Sequence, residues 1–211
     1  MASIVSLTRA EEWGADLVVV GSGERSIMDR IRFGSTSRKV VGACGASVRV
    51  ARRSATVSDR TVRILIGLDG SPDAELAVDA VSRRLWPPRS EARLIAVLDN
   101  RLAFAVPSLL PTLGRWSGAE DHHKDEAWVH RMMETASEKL QAGGLTTSTV
   151  ISTSDPRQAI VDAAREWKAN SIFVGVRGLS GIERFLIGSV SSSVAARAPC
   201  SVEVVRRAPE P

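Results

Sequence analysis

Tyrosine is absent from this 211-residue chain, phenylalanine occurs four times, and aromatic residues make up 4% of the whole. A nucleic-acid surface of basic residues with aromatics between them is therefore not available, and nucleic acid is not an expected partner. Only two cysteines are present, Cys44 and Cys200, and the three histidines (His122, His123, His130) fall in one acidic stretch away from both. This excludes a disulfide scaffold and offers no zinc-like spacing, so no metal ligand set is expected. No apolar run approaches the roughly 20 residues that cross a bilayer, and the opening MASIVSLTRAEE meets charge early with no basic stretch before it. The expectation is a cytoplasmic protein with no membrane partner.

The chain has ample material for a folded core, 44% hydrophobic residues beside 25% charged ones, which is too apolar for disorder. The net charge of +4 sits at one end: residues 1–60 carry ten basic against six acidic side chains, and residues 61–211 carry 18 of each. We read the basic excess as a solvated surface.

An internal repeat organises the chain. Residues 13–53 align without a gap with residues 167–207 at a constant offset of 154, pairing Trp13 with Trp167, Gly21 with Gly175, Arg30 with Arg184, Gly34 with Gly188, Ser35 with Ser189, Ser47 with Ser201 and Val48 with Val202. About 100 residues of strands and helices precede Trp167 in the second copy, whereas twelve precede Trp13. The expected organisation is a truncated copy over 1–53, a linker over 54–60, a complete unit over 61–207 and a tail over 208–211.

The complete unit alternates strands with helices. VRILIGL (62–68) is a continuous apolar run rich in β-branched residues, as a parallel strand buried on both faces requires. Asp69-Gly70-Ser71-Pro72 then turns the chain, with Ser71 as N-cap and Pro72 in the first turn of a helix whose apolar positions are Ala74, Ala77, Val78, Val81 and Leu85. Further strands are expected at 92–98, 146–152, 171–176 and 201–205. A loop over 99–117 should follow the second strand, and helices are expected from about 119 to 142, from 156 to about 167, and after Gly188-Ser189. This pattern predicts a five-stranded parallel open sheet in a three-layer α/β/α arrangement.

In such a sheet ligands bind beyond the carboxyl ends of the strands, where helix N-termini point. Asp69 to Ser71, Val97 to Asp99 and Gly175 to Gly178 should converge there, followed by Gly188-Ser189 at a helix start whose first N–H groups have no intrahelical acceptor. Glycines at 175, 178 and 188 would let a phosphate chain approach those amides, and Ser189 would add a hydroxyl while capping the helix. Spacing alone leaves this open against a plain turn role for the same glycines, and Asp69 equally against a role in orienting its turn. Asp99 reads as an exposed loop carboxylate, with magnesium as the sharper alternative. The histidines read as a solvated helix face and the cysteines as small core residues, and no Ser-His-Asp or paired-carboxylate set can be assembled, so no catalytic residue is assigned.

The strand end ILIGLDGS (64–71), the helix start DPRQAIVDAA (155–164) and above all G-2x-G-9x-G-S, present as Gly175, Gly178, Gly188 and Ser189, resemble the universal stress protein family. The resemblance implies the adenine-nucleotide alpha-hydrolase-like fold and, in its ATP-binding branch, ATP as ligand with or without magnesium. It puts the phosphates on Gly175, Arg177, Gly178, Gly188, Ser189 and Val190, and the adenine-ribose end on Asp69 and on the backbone of Val97. Hydrolysis would at most be slow. It also implies pairing through the last strands, either as a homodimer or as an intrachain pseudo-dimer of 46–52 with 200–206. The first copy departs from the motif: Glu24 stands where the second glycine belongs, Gly23 leaves only a weak G-x-G-x-x-S, and no Asp-Gly-Ser strand precedes it. No nucleotide is expected there. The alternative is a nucleotide-independent scaffold of the same fold, while a pyrophosphatase-loop synthetase would need a Ser-Gly-Gly-x-Asp-Ser loop that Leu68-Asp69-Gly70-Ser71-Pro72 lacks.

Overall fold

In the computed structural model, residues 2–22, 34–52, 61–98, 121–178 and 187–207 are described. The order of elements is α1 (Ala2–Glu12), β1 (Leu17–Gly21), α2 (Ser35–Ala43), β2 (Ser47–Ala51), β3 (Arg63–Leu68), α3 (Pro72–Ser82), β4 (Glu91–Val97), α4 (Asp121–Ala142), β5 (Thr146–Ser152), α5 (Pro156–Glu166), β6 (Ser171–Gly175), α6 (Ser189–Arg197) and β7 (Ser201–Val205). Every element of the first segment matches one of the last at the offset of 154: α1 with α5, β1 with β6, α2 with α6 and β2 with β7. The correspondence thus extends upstream of Trp13 to the whole of α1.

Among the described residues seven strands form one sheet, in the order β1-β2-β7-β6-β3-β4-β5. Five of them, β7-β6-β3-β4-β5, are the parallel strands expected of the complete unit. The five-stranded parallel sheet needs correcting to a seven-stranded mixed one. A β7 left at the edge would present a row of unpaired backbone donors and acceptors, and here β2 takes them up in antiparallel register.

Alternation along the central strands divides the apolar residues between two faces. Leu65 and Ile95 join the core that also holds Val40, Ile160, Val194 and Val202, beneath α1, α2, α5 and α6. Ile64, Ile66 and Leu94 join Ala77, Val81, Val129, Leu140 and Phe173, beneath α3 and α4. Helices on both faces make the three-layer α/β/α architecture.

Ala74, Ala77, Val78 and Val81 are buried as their spacing predicts, but Leu85 is fully exposed. The helix ends at Ser82, Arg83 caps it, and the place beside Phe173 goes to Trp86, whose indole N–H donates to the Val81 carbonyl at 2.9 Å. No described helix is long and apolar enough to cross a membrane. The expected 54–60 linker, the 99–117 loop, Asp99, Gly23, Glu24, Arg30 and the 208–211 tail lie outside the described residues.

Candidate functional site

The strand order reverses between β3 and β6: the chain leaves β3 for β4 and β5 on one side and returns to β6 and β7 on the other. A crevice beyond the carboxyl ends of strands forms at such a reversal. Two turns face each other across it. After β3, the Asp69 carboxylate accepts the Ser71 N–H at 3.0 Å, and Gly70 adopts φ +78°, a conformation that favours glycine. The Ser71 hydroxyl accepts the Ala74 N–H at 3.2 Å as N-cap of α3, and it donates to the Arg177 carbonyl at 3.3 Å. One serine therefore ties the turn after β3 to the turn after β6.

Close approach explains the glycines on the β6 side. A Cβ on Gly175 would stand 2.5 Å from the Asp73 carbonyl carbon and 2.8 Å from the Ala74 nitrogen, so the start of α3 packs directly on the end of β6. A Cβ on Gly178 would stand 2.4 Å from an Asp69 carboxylate oxygen, which brings Asp69 onto the glycine turn. Gly188 returns against the same turn: its N–H donates to the Val176 carbonyl at 2.7 Å, and a Cβ there would lie 3.2 Å from that oxygen. The Ser191 hydroxyl then donates to the Gly175 carbonyl at 2.6 Å and fixes the first turn of α6 to β6.

Asp69, Gly175, Arg177, Gly178 and Gly188 are thus brought together. Val97 ends β4 beside β3, and Val190 lies in the first turn of α6; both side chains pack on the core, so what they offer a ligand is backbone. Ser189 is exposed as the first helical residue, and the expectation that it caps α6 is corrected. Gly188 is the N-cap, with no side-chain cap bond, because the bond from its own N–H to Val176 places it one residue outside the helix. The N–H groups of Ser189, Val190 and Ser191 precede the first intrahelical bond, which Ser192 donates to Gly188, so the positive end of α6 faces the turn. Residues 179–186 of the nine-residue spacer lie outside the described residues.

Two residues of this region had no signal in the sequence. Asp73, nearly buried in the first turn of α3, accepts from the Arg177 guanidinium at 2.9 Å and holds that cation beside the glycine turn. Trp128 of α4 lies on the face of Gly70, where a Cβ would come within 2.2 Å of its ring, and it remains partly exposed. An acidic first turn ordinarily reads as helix-dipole compensation, and a tryptophan 58 positions away carries no spacing cue. Burial lowers the Arg206 pKa, an effect reinforced by Arg177 and opposed by Cys44 and Asp73. Cys200, enclosed in the core, has its thiol pushed up to about 12 by desolvation, as fits a packing role. Cys44 is buried as well, and His130 is exposed.

A doubly wound α/β sheet, with a glycine turn and a helix N-terminus at the point where the strand order reverses, defines the class of fold. The sequence profile of the universal stress protein family matches residues 3–52 and 61–206. The chain belongs to the universal stress protein family. It is 28% identical over 150 residues to the universal stress protein YxiE of Bacillus subtilis, an alignment that covers 68% of this chain and 98% of YxiE. It is 28% identical over 205 residues to a universal stress protein of Mycolicibacterium smegmatis, covering 91% of this chain but only 62% of that longer relative. Among solved structures, the hypothetical protein MJ0577 superposes with a TM-score of 0.58 at 25% identity, over 72% of this chain and 100% of its own. A universal stress protein from Archaeoglobus fulgidus gives 0.61 at 21% identity, over 98% of this chain and 65% of its own, a likeness of fold.

Proposed function

We propose that this universal stress protein binds one adenine nucleotide, ATP foremost, in the crevice between the turn after β3 and the start of α6. The observation that carries the reading is the closure of three separate segments on one point: Asp69 against Gly178, and Gly188 against Val176 to Gly178, at the N-terminus of α6. The cradle fits a phosphate chain, since a Cβ at 178 would occupy the space before Asp69 and the first amides of α6 have no intrahelical acceptor. Gly178, Gly188, Ser189 and Val190 would hold the phosphates, with Arg177 as the local cation and Gly175 as the residue that lets α3 come close. Asp69 and the Val97 backbone would receive the ribose and base. Magnesium, where ATP carries it, would be held by the phosphates of the bound nucleotide. The bound nucleotide would supply a state to be read by a partner in a stress response.

A second reading rests on a different observation, the continuous sheet across β2 and β7, and makes the fold a nucleotide-independent scaffold. Titration calorimetry of the full chain with ATP, with ATP and magnesium, and with GTP separates the two. The nucleotide reading expects one site per chain and preference for adenine. No heat with any of the three, at protein concentrations that detect a Kd of 100 μM, overturns it in favour of the scaffold.

A further inference from the structure

The junction of β2 and β7 is built as a two-fold with one deliberate exception. Val48 lies opposite Val204 and Val50 opposite Val202, and at the offset of 154 these pairs are exchanges of equivalent positions. Polar contacts repeat the symmetry. The Arg52 N–H donates to the Ser201 hydroxyl at 3.0 Å, and the Arg206 N–H donates to the Ser47 hydroxyl at the same distance. The Arg52 guanidinium reaches across to the last carbonyls of α6, at Ala195 and Ala196, while the Arg206 guanidinium reaches the Val41 carbonyl of α2. Each segment thus closes the helix end of the other.

On the axis itself the symmetry is broken. Position 49 pairs with its own equivalent, 203, and the two are Arg49 and Glu203. Glu203 has no exposed surface; it accepts from the Arg49 guanidinium at 3.3 Å and from both terminal nitrogens of Arg84 at 2.5 and 2.8 Å. Arg49 also donates to the Ser171 hydroxyl at 2.7 Å, and both arginines lie over the Phe173 ring, at 6.0 and 5.3 Å from its centroid.

We infer that the Arg49–Glu203 pair is a charge code by which β2 and β7 select each other over duplicates of themselves. A second chain offering its β7 would satisfy every symmetric contact of this edge but set Glu203 directly opposite Glu203. Two β2 strands would set Arg49 opposite Arg49. Like charges directly opposite in a ladder are unfavourable, and burial amplifies the difference. Arg84 neutralises Glu203 from within its own unit, so the code acts as a preference, and Arg49 is the cation that only β2 brings. The edge therefore closes between a β2 and a β7, not between two copies of either.

The test uses full-length charge reversals. Arg49→Glu should lower Tm by about 10 °C, and Glu203→Arg should lower it further because it also loses both Arg84 bonds; the double reversal should be more stable than Glu203→Arg alone, with the Arg84 contact still lost. When the two single variants are mixed in equal amounts, their β7 strands carry opposite charges on the axis, and native mass spectrometry should show a heterodimer that neither forms alone. Should a reversal fail to fold, the milder Arg49→Gln and Glu203→Gln changes, single and combined, must show losses smaller together than their sum. Additive losses in the milder set, or an unrecovered double reversal with no heterodimer in the mixture, overturn the inference.

Discussion

The chain contains the same α-β-α-β sequence pattern twice, and the two versions lie in different surroundings. In β6 and β7 every residue is buried, whereas β1 is half exposed, with Val19 and the preceding Trp13 largely in solvent. Trp167, equivalent to Trp13, is partly buried and lies 4.3 Å beneath the Arg93 guanidinium. Gly175 is crowded by the backbone of α3, while Gly21, its equivalent, has nothing within 4 Å of a Cβ among the described residues. The local devices are nevertheless the same. Ser37 donates to the Gly21 carbonyl as Ser191 does to that of Gly175, both at 2.6 Å, and both helices start on a glycine N-cap. The repeated sequence encodes a β-α-β unit; what distinguishes the second is the turn after β3 and the helix α3 that lie against it.

The comparison can be broken most forcefully at the equivalent glycines. Gly175→Val should push the start of α3 off β6 and cost about 3 kcal/mol or more, while Gly21→Val should stay within about 0.5 kcal/mol, read by urea denaturation. Equal losses would mean that the two strand ends do not differ in packing. Next comes the nucleotide: Gly188→Asp should reduce ATP affinity at least ~100-fold by setting a carboxylate before the phosphates, with the fold kept because aspartate is a good N-cap. Gly34→Asp at the equivalent position should leave affinity unchanged.

The crossed arginines sharpen the comparison at lower cost. Arg52→Ala removes bonds to Ala195, Ala196 and Cys200 carbonyls, and a loss of about 2 kcal/mol is expected. Arg206→Ala removes the bond to Val41 and also relieves a buried Nε that has no partner among the described residues, so about 1 kcal/mol is expected. The last effect is absent at neutral pH and appears only under alkaline conditions. Cys200 rises from an ordinary 9.0 to about 12 on folding. The unfolded chain therefore releases this proton first as pH rises, and the stabilisation is complete below pH 9 and falls between 9 and 12. Each unit in that window should cost up to about 1.4 kcal/mol, and Cys200→Ala should flatten the slope.

Much of this was legible in the chain. Continuous apolar runs located the buried strands, Ser71-Pro72 and Asp155-Pro156 marked helix starts, and the constant offset announced the two related segments. Leu85 misled because helical spacing continues past Ser82, whereas the helix stops there and the core position goes to Trp86. Glycine spacing led to Gly178 and Gly188 but not to the packing reason for Gly175, which depends on the backbone of α3. Asp73 and Trp128 were illegible for the same reason, since their significance comes from partners 104 and 58 positions away. The five-strand count omitted β1 and β2 because it took the complete unit alone, although the resemblance implied that 46–52 could pair with 200–206, and β2 does pair with β7 in antiparallel register.

Of the two related segments, the second alone is proposed to form a nucleotide site. Native mass spectrometry of the full chain with ATP, beside Gly188→Asp and Gly34→Asp, tests it most directly. The account predicts one nucleotide per chain in the parent and in Gly34→Asp and none in Gly188→Asp; a nucleotide retained by Gly188→Asp, or two per parent chain, would contradict it.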